Sequence, residues 1–258
     1  MIRLILPTGF IQSQIKVDKG LINYLRAGNG PDVIVLDEVP GASTELYRLL
    51  SENYCLTVIT GTANSDIPFD STCFVEMSTE ASNQFAPKGY VLLGMSFFAA
   101  VAIRQALNDS DNVEALILVS PLAILPAEDP QLITGSNFTD ILTNSPASDS
   151  LLDLYCAGNT SQLIERFRTL SEDDRIQDFL GNINSPTLAV FGVEDKMISP
   201  EAARVYKKII PNCNISLIYA AGHLIGLDRP DSLANVVTDF IQYKETFIVG
   251  RESSEINP

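Results

Sequence analysis

The chain has 258 residues, and 46% of them are hydrophobic, which is enough to form one large domain with a sizeable core. Its 32 acidic and 17 basic residues give a net charge of −15, so neither nucleic acid nor an anionic membrane surface is expected as a partner. No run approaches the roughly 20 apolar residues that span a bilayer, and the first seven residues do not resemble a signal peptide, so we expect a cytoplasmic protein.

Short apolar runs recur along the chain, separated by stretches with helical character. Two alternating segments, 10–17 and 21–25, flank Asp18-Lys19-Gly20 and predict an antiparallel hairpin at one edge of a sheet. The later runs are typical of parallel strands that are buried on both faces. They comprise residues 33–36, 55–59, 90–93, 115–119, 187–191 and 215–219. This pattern predicts an α/β fold, with a mostly parallel central sheet of about eight strands and helices on both faces.

Helices are predicted in the gaps between these runs. They cover residues 43–53, 97–108, a stretch that begins at Ser199, and residues 233–243. At Ser199-Pro200-Glu201 a capping serine precedes a proline and an acid in the first turn, which is a typical helix start. Ser43 is a candidate N-cap of the first helix.

The strand signal disappears for about sixty residues after Leu125, where the chain becomes polar and then helical in pattern. A structureless loop of that length would be unusual in a compact domain. We therefore predict a helical cap insertion over residues 126–181, lying over a core formed by residues 1–125 and 182–258.

The four cysteines are Cys55, Cys73, Cys156 and Cys213. They lie far apart and form no C-x-x-C pair, so we interpret them as reduced structural thiols. A catalytic cysteine is the alternative, but no motif surrounds any of them. The single histidine, His223, cannot anchor a multi-histidine metal site, but its place in a small-residue loop suits proton transfer near neutral pH.

Ser96 stands at an abrupt change from strand to helix. The run Leu92-Leu93-Gly94-Met95-Ser96 is followed at once by an apolar helix, a geometry that exposes a hydroxyl at the end of a strand. The N–H groups that follow would then lie at a helix N-terminus, where they can bind a developing oxyanion. An ordinary serine N-cap on a buried helix would also account for this residue.

An acid and the histidine follow Ser96 in chain order. Asp195 lies in the loop after the strand at 187–191, with Glu194 as an alternative, and His223 lies after the last strand. Each could be an ordinary loop residue. Together, however, all three follow the carboxyl end of a predicted strand, an arrangement that is hard to obtain by accident. The sequence therefore predicts a triad of Ser96, Asp195 and His223.

These features resemble the α/β-hydrolase superfamily, in its cap-bearing esterase, lyase and thioesterase branch. The likeness extends over almost the whole chain, through residues 17–28 and 186–192. It is closest at residues 222–230, which are similar to the family pattern G-H-x-x-x-x-(E/D)-x-P. The roles that the resemblance implies are Ser96 as nucleophile, Asp195 as triad acid and His223 as base.

The chain departs from the family pattern at two places. The family's turn from strand to helix at the nucleophile, called the elbow, usually has the sequence G-x-S-x-G. Here Phe98 replaces the second glycine, which implies a shifted helix or a reshaped core. After the third strand the family commonly has H-G-x, where this chain has Asp37-Glu38-Val39. The resemblance implies an oxyanion hole formed by the backbone N–H groups of Phe97 and Val39.

The two carboxylates in the second departure matter for the chemistry. A negative charge within about 5 Å of a developing oxyanion would oppose it by several kcal/mol. Either Asp37 and Glu38 turn to solvent, or the chemistry of this chain does not build a full oxyanion. A sharper alternative to a solvated loop is that one of them is functional, as a second acid or base or by binding a cationic or hydroxylated substrate.

The leading hypothesis is a serine hydrolase that cleaves an ester or thioester of a hydrophobic small molecule through an acyl-enzyme, without a metal or organic cofactor. The residues expected to line its pocket are Asp37, Glu38, Met95, Phe98, Ile124, Leu125 and Leu224. The apolar side chains among them could equally belong to the core. One alternative is a lyase, cyclase or acyl transferase in which His223 moves protons, and another is a ligand-binding member of the fold that has lost catalysis.

Overall fold

A computed structural model describes residues 9–37, 40–62, 71–123, 143–144, 176–199 and 201–247. In these residues eight strands form one sheet, in the order β1-β2-β4-β3-β5-β6-β7-β8. The strands are β1 (Ile11–Val17), β2 (Gly20–Ala27), β3 (Asp32–Leu36), β4 (Cys55–Thr62), β5 (Tyr90–Met95), β6 (Val113–Val119), β7 (Thr187–Gly192) and β8 (Cys213–Ile218).

The sheet is mostly parallel, as the sequence predicts. The hairpin of β1 and β2 forms one edge, and β2 pairs antiparallel with β4. All the remaining pairs, from β4 through β3 to β8, are parallel. After β3 the chain places β4 on one side of it and then β5 on the other side, so the strand order reverses at β3. Such a reversal leaves a crevice beyond the carboxyl ends of β3 and β5. Open α/β sheets bind ligands at such a reversal of strand order.

Seven α-helices lie within the described ranges. They are α1 (Thr44–Ser51), α2 (Ser71–Phe85), α3 (Phe98–Asn108), α4 (Ile176–Phe179), α5 (Ala202–Ile209), α6 (Ile225–Asp228) and α7 (Pro230–Tyr243). Short 3-10 helices cover Pro40–Ser43, Leu180–Asn182 and Lys244–Thr246. The four helices expected from the sequence correspond to α1, α3, α5 and α7, whereas α2 was not predicted.

The helices cover both faces of the sheet and bury two hydrophobic cores. Side chains of α2, α3 and α5 pack on one face, and those of α1 and α7 pack on the other. The predicted α/β class, with its eight-stranded sheet, is therefore confirmed. None of the helices in the described ranges is long and apolar enough to cross a membrane.

Only part of the predicted cap insertion can be compared with the structure. Of residues 126–181, the structure describes 143–144 and 176–181, and the others lie outside the described residues. The proposed boundary between core and cap therefore stays a prediction.

Three of the four cysteines, Cys55, Cys73 and Cys213, lie in the described ranges and form no disulfide there. Burial raises the pKa of the Cys213 thiol to about 12. It therefore stays protonated near neutral pH and is a poor nucleophile, as expected of a structural cysteine. Cys156 lies outside the described residues.

Candidate active site

Ser96 occupies a sharp turn between β5 and α3. Its φ of 49° lies in the left-handed region, which non-glycine residues rarely adopt. The Ser96 N–H donates to the Val119 carbonyl at 2.8 Å, and the Ser96 carbonyl accepts from the Leu122 N–H at 3.1 Å. These main-chain bonds to the end of β6 hold the turn, so the hydroxyl projects beyond the carboxyl end of the sheet.

The elbow is crowded, and Gly94 makes its packing possible. A Cβ at Gly94 would lie 2.5 Å from the Ala102 Cβ and 2.8 Å from the Ala99 Cα. The start of α3 therefore lies against β5 even though Phe98 replaces the usual second glycine. The Phe98 ring is buried and stacks on Phe74 of α2, with 4.9 Å between ring centroids. The structure thus accommodates Phe98 inside the packed core on this face of the sheet.

The structure brings the three predicted triad residues into one hydrogen-bonded chain. Ser96 Oγ lies 2.8 Å from His223 Nε2, and His223 Nδ1 lies 3.0 Å from Asp195 Oδ2. Because a carboxylate only accepts hydrogen bonds, Nδ1 carries the proton and Nε2 accepts from the serine hydroxyl. The histidine and aspartate side chains have no exposed surface, so this pairing is shielded from water. Glu194, the alternative acid, is exposed.

Asp195 is itself held in place by the main chain. Its Oδ1 accepts the N–H groups of Met197 at 2.8 Å and Ile198 at 3.0 Å. These bonds orient the carboxylate, and Oδ2 is thereby directed at the imidazole. An acid in this position fixes the tautomer of the histidine and stabilises the imidazolium that forms during proton transfer.

The loop that carries His223 is held against the loop that carries Asp195. The Glu194 N–H donates to the Ala221 carbonyl at 2.9 Å. A side chain at Gly192 would run into the carbonyls of Ala221 and Gly222, so this close approach requires a glycine. On the other side, the Gly222 N–H donates to Asp228 Oδ2 at 2.7 Å. Sequence reasoning did not select Asp228, although its place in the family pattern was the available signal.

Asp37 does not turn to solvent, which corrects one of the two expectations for it. Its carboxylate is buried and accepts a hydrogen bond from the hydroxyl of Tyr47 on α1. That hydroxyl also lies 3.4 Å from the Met95 sulfur. Burial and then the charge of Asp37 raise the pKa of Tyr47 well above its usual value, so it stays a donor. No sequence motif marks Tyr47 as part of the site.

The other predicted pocket residues fall into three groups. Met95 and Phe98 belong to the two packed cores, the alternative that the sequence left open for them. Leu224 is partly buried beside His223 and packs against the core on the α3 face. The predicted pocket residues that lie outside the described ranges are Glu38, Ile124 and Leu125.

The predicted oxyanion donors can be compared with the structure only in part. Phe97 follows the elbow serine directly and precedes the first residue of α3, so its N–H belongs to the start of that helix. Val39 lies outside the described residues. Within the described ranges no group of three or more His, Cys, Asp or Glu side chains is arranged to hold a metal ion.

Comparison with curated proteins finds distant relatives, while no protein-family model matches the chain. The chain is 26% identical to the polyketide synthase ThaQ of Burkholderia thailandensis, over 84% of the chain and 12% of ThaQ. It is 29% identical to the human monoacylglycerol lipase ABHD6, over 57% of the chain and 44% of the lipase. It is 23% identical to 2-hydroxy-6-oxononadienedioate/2-hydroxy-6-oxononatrienedioate hydrolase 2 of Pseudomonas putida, over 86% and 92% of the two chains. The chain thus spans less than half the length of the first two relatives.

Solved structures resemble the chain over most of its length. A membrane phospholipase A described as a bacterial virulence factor superposes with a TM-score of 0.77 at 17% identity, covering 91% of this chain and 86% of its own. The serine hydrolase CarC of carbazole degradation superposes with a TM-score of 0.74 at 18% identity, covering 91% and 99%. The chain has the α/β-hydrolase fold. The resemblance noted in the sequence is thereby confirmed at the level of the fold.

Within the α/β-hydrolase fold, the three candidate residues follow the carboxyl ends of different strands. Ser96 follows β5, Asp195 follows β7 and His223 follows β8. Two of the three curated relatives and both solved structures carry the names of hydrolytic enzymes. These four proteins are therefore hydrolases by name.

Proposed function

We propose that this α/β-hydrolase is a serine hydrolase that cleaves an ester or thioester of a hydrophobic small molecule. The observation that carries the proposal is the chain of contacts from Ser96 Oγ through His223 to Asp195, at 2.8 and 3.0 Å. A nucleophile, a base and an orienting acid within hydrogen-bond distance are what nucleophilic acyl transfer requires. The names of the lipase and phospholipase relatives agree with an ester substrate.

The proposed reaction proceeds in two halves. Ser96 Oγ attacks the carbonyl carbon while His223 Nε2 takes the hydroxyl proton, and Asp195 stabilises the resulting imidazolium. The Phe97 N–H donates to the oxyanion, and its position at the start of α3 adds the positive end of the helix dipole. His223 then gives its proton to the departing alcohol or thiol, leaving an acyl group on Ser96.

Water completes the second half of the cycle. His223 removes a proton from the attacking water, the tetrahedral intermediate collapses, and the acid product leaves as Ser96 regains its proton. Every proton thus passes through His223, the only histidine in the chain. The residues of the chain supply the nucleophile and the acid–base chemistry, so the reaction requires no metal or organic cofactor.

Three further features of the chain bear on the substrate class and the location that we propose. Leu224, partly buried next to His223, gives the site an apolar neighbour suited to an acyl chain or a hydrophobic alcohol. The net charge of −15 disfavours strongly anionic substrates. We also propose a cytoplasmic location, which agrees with the absence of a disulfide among Cys55, Cys73 and Cys213 in the described ranges.

Burial of Asp37 favours a second candidate function. A carboxylate at the end of β3, beside the crevice, would oppose an oxyanion there, which suits a lyase, cyclase or acyl transferase in which His223 moves protons. The Tyr47 hydroxyl weakens this argument, because its hydrogen bond stabilises and partly disperses the negative charge of Asp37. If the Ser96→Ala variant kept full turnover, the result would favour lyase-type proton chemistry, because that chemistry does not need the serine as a nucleophile. The 2.8 and 3.0 Å contacts speak against an inactive ligand-binding protein.

The proposal is tested by reaction with a small fluorophosphonate probe, followed by peptide mapping. We expect the label on Ser96, because His223 activates only a hydroxyl within its reach. His223→Ala should slow labelling by at least about 10³-fold. Ser199→Ala, at an exposed serine, serves as the control and should label normally. A folded wild type that remains unlabelled at Ser96 would contradict the proposal.

A further inference from the structure

Asp228, the last residue of α6, accepts two main-chain hydrogen bonds on a single carboxylate oxygen. The Gly222 N–H donates to Oδ2 at 2.7 Å, and the Asn144 N–H donates to the same atom at 2.9 Å. Hydrogen bonds from N–H groups to a carboxylate are shorter and stronger than those between neutral groups. One oxygen therefore joins two segments that are far apart in the chain.

The first of these segments carries the proposed base. Gly222 directly precedes His223, and α6 returns the chain so that Asp228 faces the loop it has just left, with the Asp228 N–H bonded to the Leu224 carbonyl at 3.0 Å. Glu194 holds the other side of the loop through the Ala221 carbonyl. The backbone before His223 is thus held from two directions, and the imidazole depends on both for its place near Ser96.

The second segment lies within the predicted cap insertion. Asn144 is 84 residues from Asp228 in the chain, and its neighbour Thr143 is buried. The bond uses the main-chain N–H of Asn144, so it holds the backbone at residue 144 whatever side chain stands at this position. Proline is the one residue type that removes such a donor.

We propose that Asp228 is a positioning residue that couples the backbone position of Asn144 to the position of His223. A shift of the backbone at residue 144 then changes the hydrogen bonding of Gly222, and through it the distance between His223 and Ser96. This inference rests on the proposed function, since it takes His223 as the base.

The first test compares Asp228→Ala, Asp228→Asn and Asp231→Asn. Asp231 is an exposed residue in the first turn of α7, so its substitution removes the same charge without touching either segment. We expect labelling of Ser96 by the fluorophosphonate to fall about 10- to 100-fold in Asp228→Ala, since small displacements of a catalytic group have effects of this size. Asp228→Asn keeps an acceptor oxygen and should recover part of the rate, and Asp231→Asn should equal the wild type.

The second test separates coupling from a local structural role. Asn144→Pro removes the N–H that reaches Asp228, whereas Asn144→Ala keeps it. Hydrogen exchange measured by mass spectrometry should become faster in the peptide containing Gly222 for Asn144→Pro and stay unchanged for Asn144→Ala. Labelling of Ser96 should also slow several-fold in the proline variant alone.

The inference is overturned by either of two results in variants whose circular dichroism matches the wild type. One is Asp228→Ala labelling as fast as Asp231→Asn. The other is equal exchange of the Gly222 peptide in Asn144→Pro and Asn144→Ala. A wild type that fails to label would instead contradict the proposed function, while the exchange experiment would still decide whether the two segments are coupled.

Discussion

At the scale of single residues, the backbone at Ser96 is the feature on which the site depends. Its φ of 49° turns the hydroxyl out of the strand direction and toward His223. Such a conformation costs roughly 1–3 kcal/mol for a non-glycine residue and persists only where the surroundings enforce it. The sequence indicates this turn because a strand, a serine and a helix follow one another without a spacer. The turn alone does not indicate the partner of the hydroxyl; His223 was predicted from the placement of an acid and a histidine after later strands and from the family resemblance.

Asp37 and Tyr47 form a buried pair that can be tested by substitution. Tyr47→Phe removes the hydroxyl that donates to the buried carboxylate, so the folded state loses a charge-assisted hydrogen bond. We expect the free energy of unfolding, measured in urea, to fall by about 2–3 kcal/mol. Because a neutral amide is less costly to bury, the double variant Asp37→Asn/Tyr47→Phe should be destabilised by less than the sum of the two single variants.

An exposed tyrosine supplies the control for this prediction. Tyr243, at the end of α7, is 50% exposed, and Tyr243→Phe should leave stability unchanged within about 0.5 kcal/mol. Equal unfolding free energies for Tyr47→Phe and Tyr243→Phe would show that the buried pair contributes nothing to stability.

At the scale of elements, the contact between β5 and α3 depends on Gly94. Gly94→Ala would place a Cβ 2.5 Å from the Ala102 Cβ, so the helix must move or the strand must bend. We expect a loss of about 1–3 kcal/mol in unfolding free energy, as for other overpacked cores, together with slower labelling of Ser96 because the elbow is displaced. Chemical denaturation and the labelling rate measure the two effects.

Gly181 offers the matched substitution at an uncrowded place. A Cβ there would meet its nearest atom, the Ile209 carbonyl oxygen, at 3.9 Å, which is an ordinary contact. Gly181→Ala should therefore keep both the stability and the labelling rate of the wild type. Unaltered stability in Gly94→Ala would mean that the helix can move away from β5 without loss.

The helix that sequence analysis missed, α2, shows why some elements escape prediction. Two of its inward positions are the serines Ser78 and Ser82, both of which hydrogen-bond to Gln105 of α3. The buried face of α2 is therefore partly polar, and the apolar periodicity that marks an amphipathic helix is weak. The burial of these serines is explained by hydrogen bonds to Gln105 of the partner helix and to carbonyls of α2 itself.

At the scale of the whole molecule, the net charge of −15 should affect access to the site. The negative charge of the protein repels an ester that carries a carboxylate on its acyl chain, but it does not repel a neutral nitrophenyl ester. Raising the salt from 0.01 M to 1 M shortens the screening length from about 30 Å to about 3 Å. We therefore expect kcat/KM for the carboxylated ester to rise several-fold with salt, while that for the neutral ester stays nearly constant. The same salt response for both esters would contradict this prediction.

The sequence by itself determined the eight strands, four of the helices, the fold class, and the positions of Ser96, Asp195 and His223 at strand ends. These features follow from periodicity and turn chemistry, which are local properties of the chain. Only the tertiary structure decided that Phe98 stacks on Phe74 and that Asp228 reaches the backbone 84 residues away at Asn144. Such contacts depend on the direction of side chains and on packing between distant segments, and no local pattern in the chain encodes either.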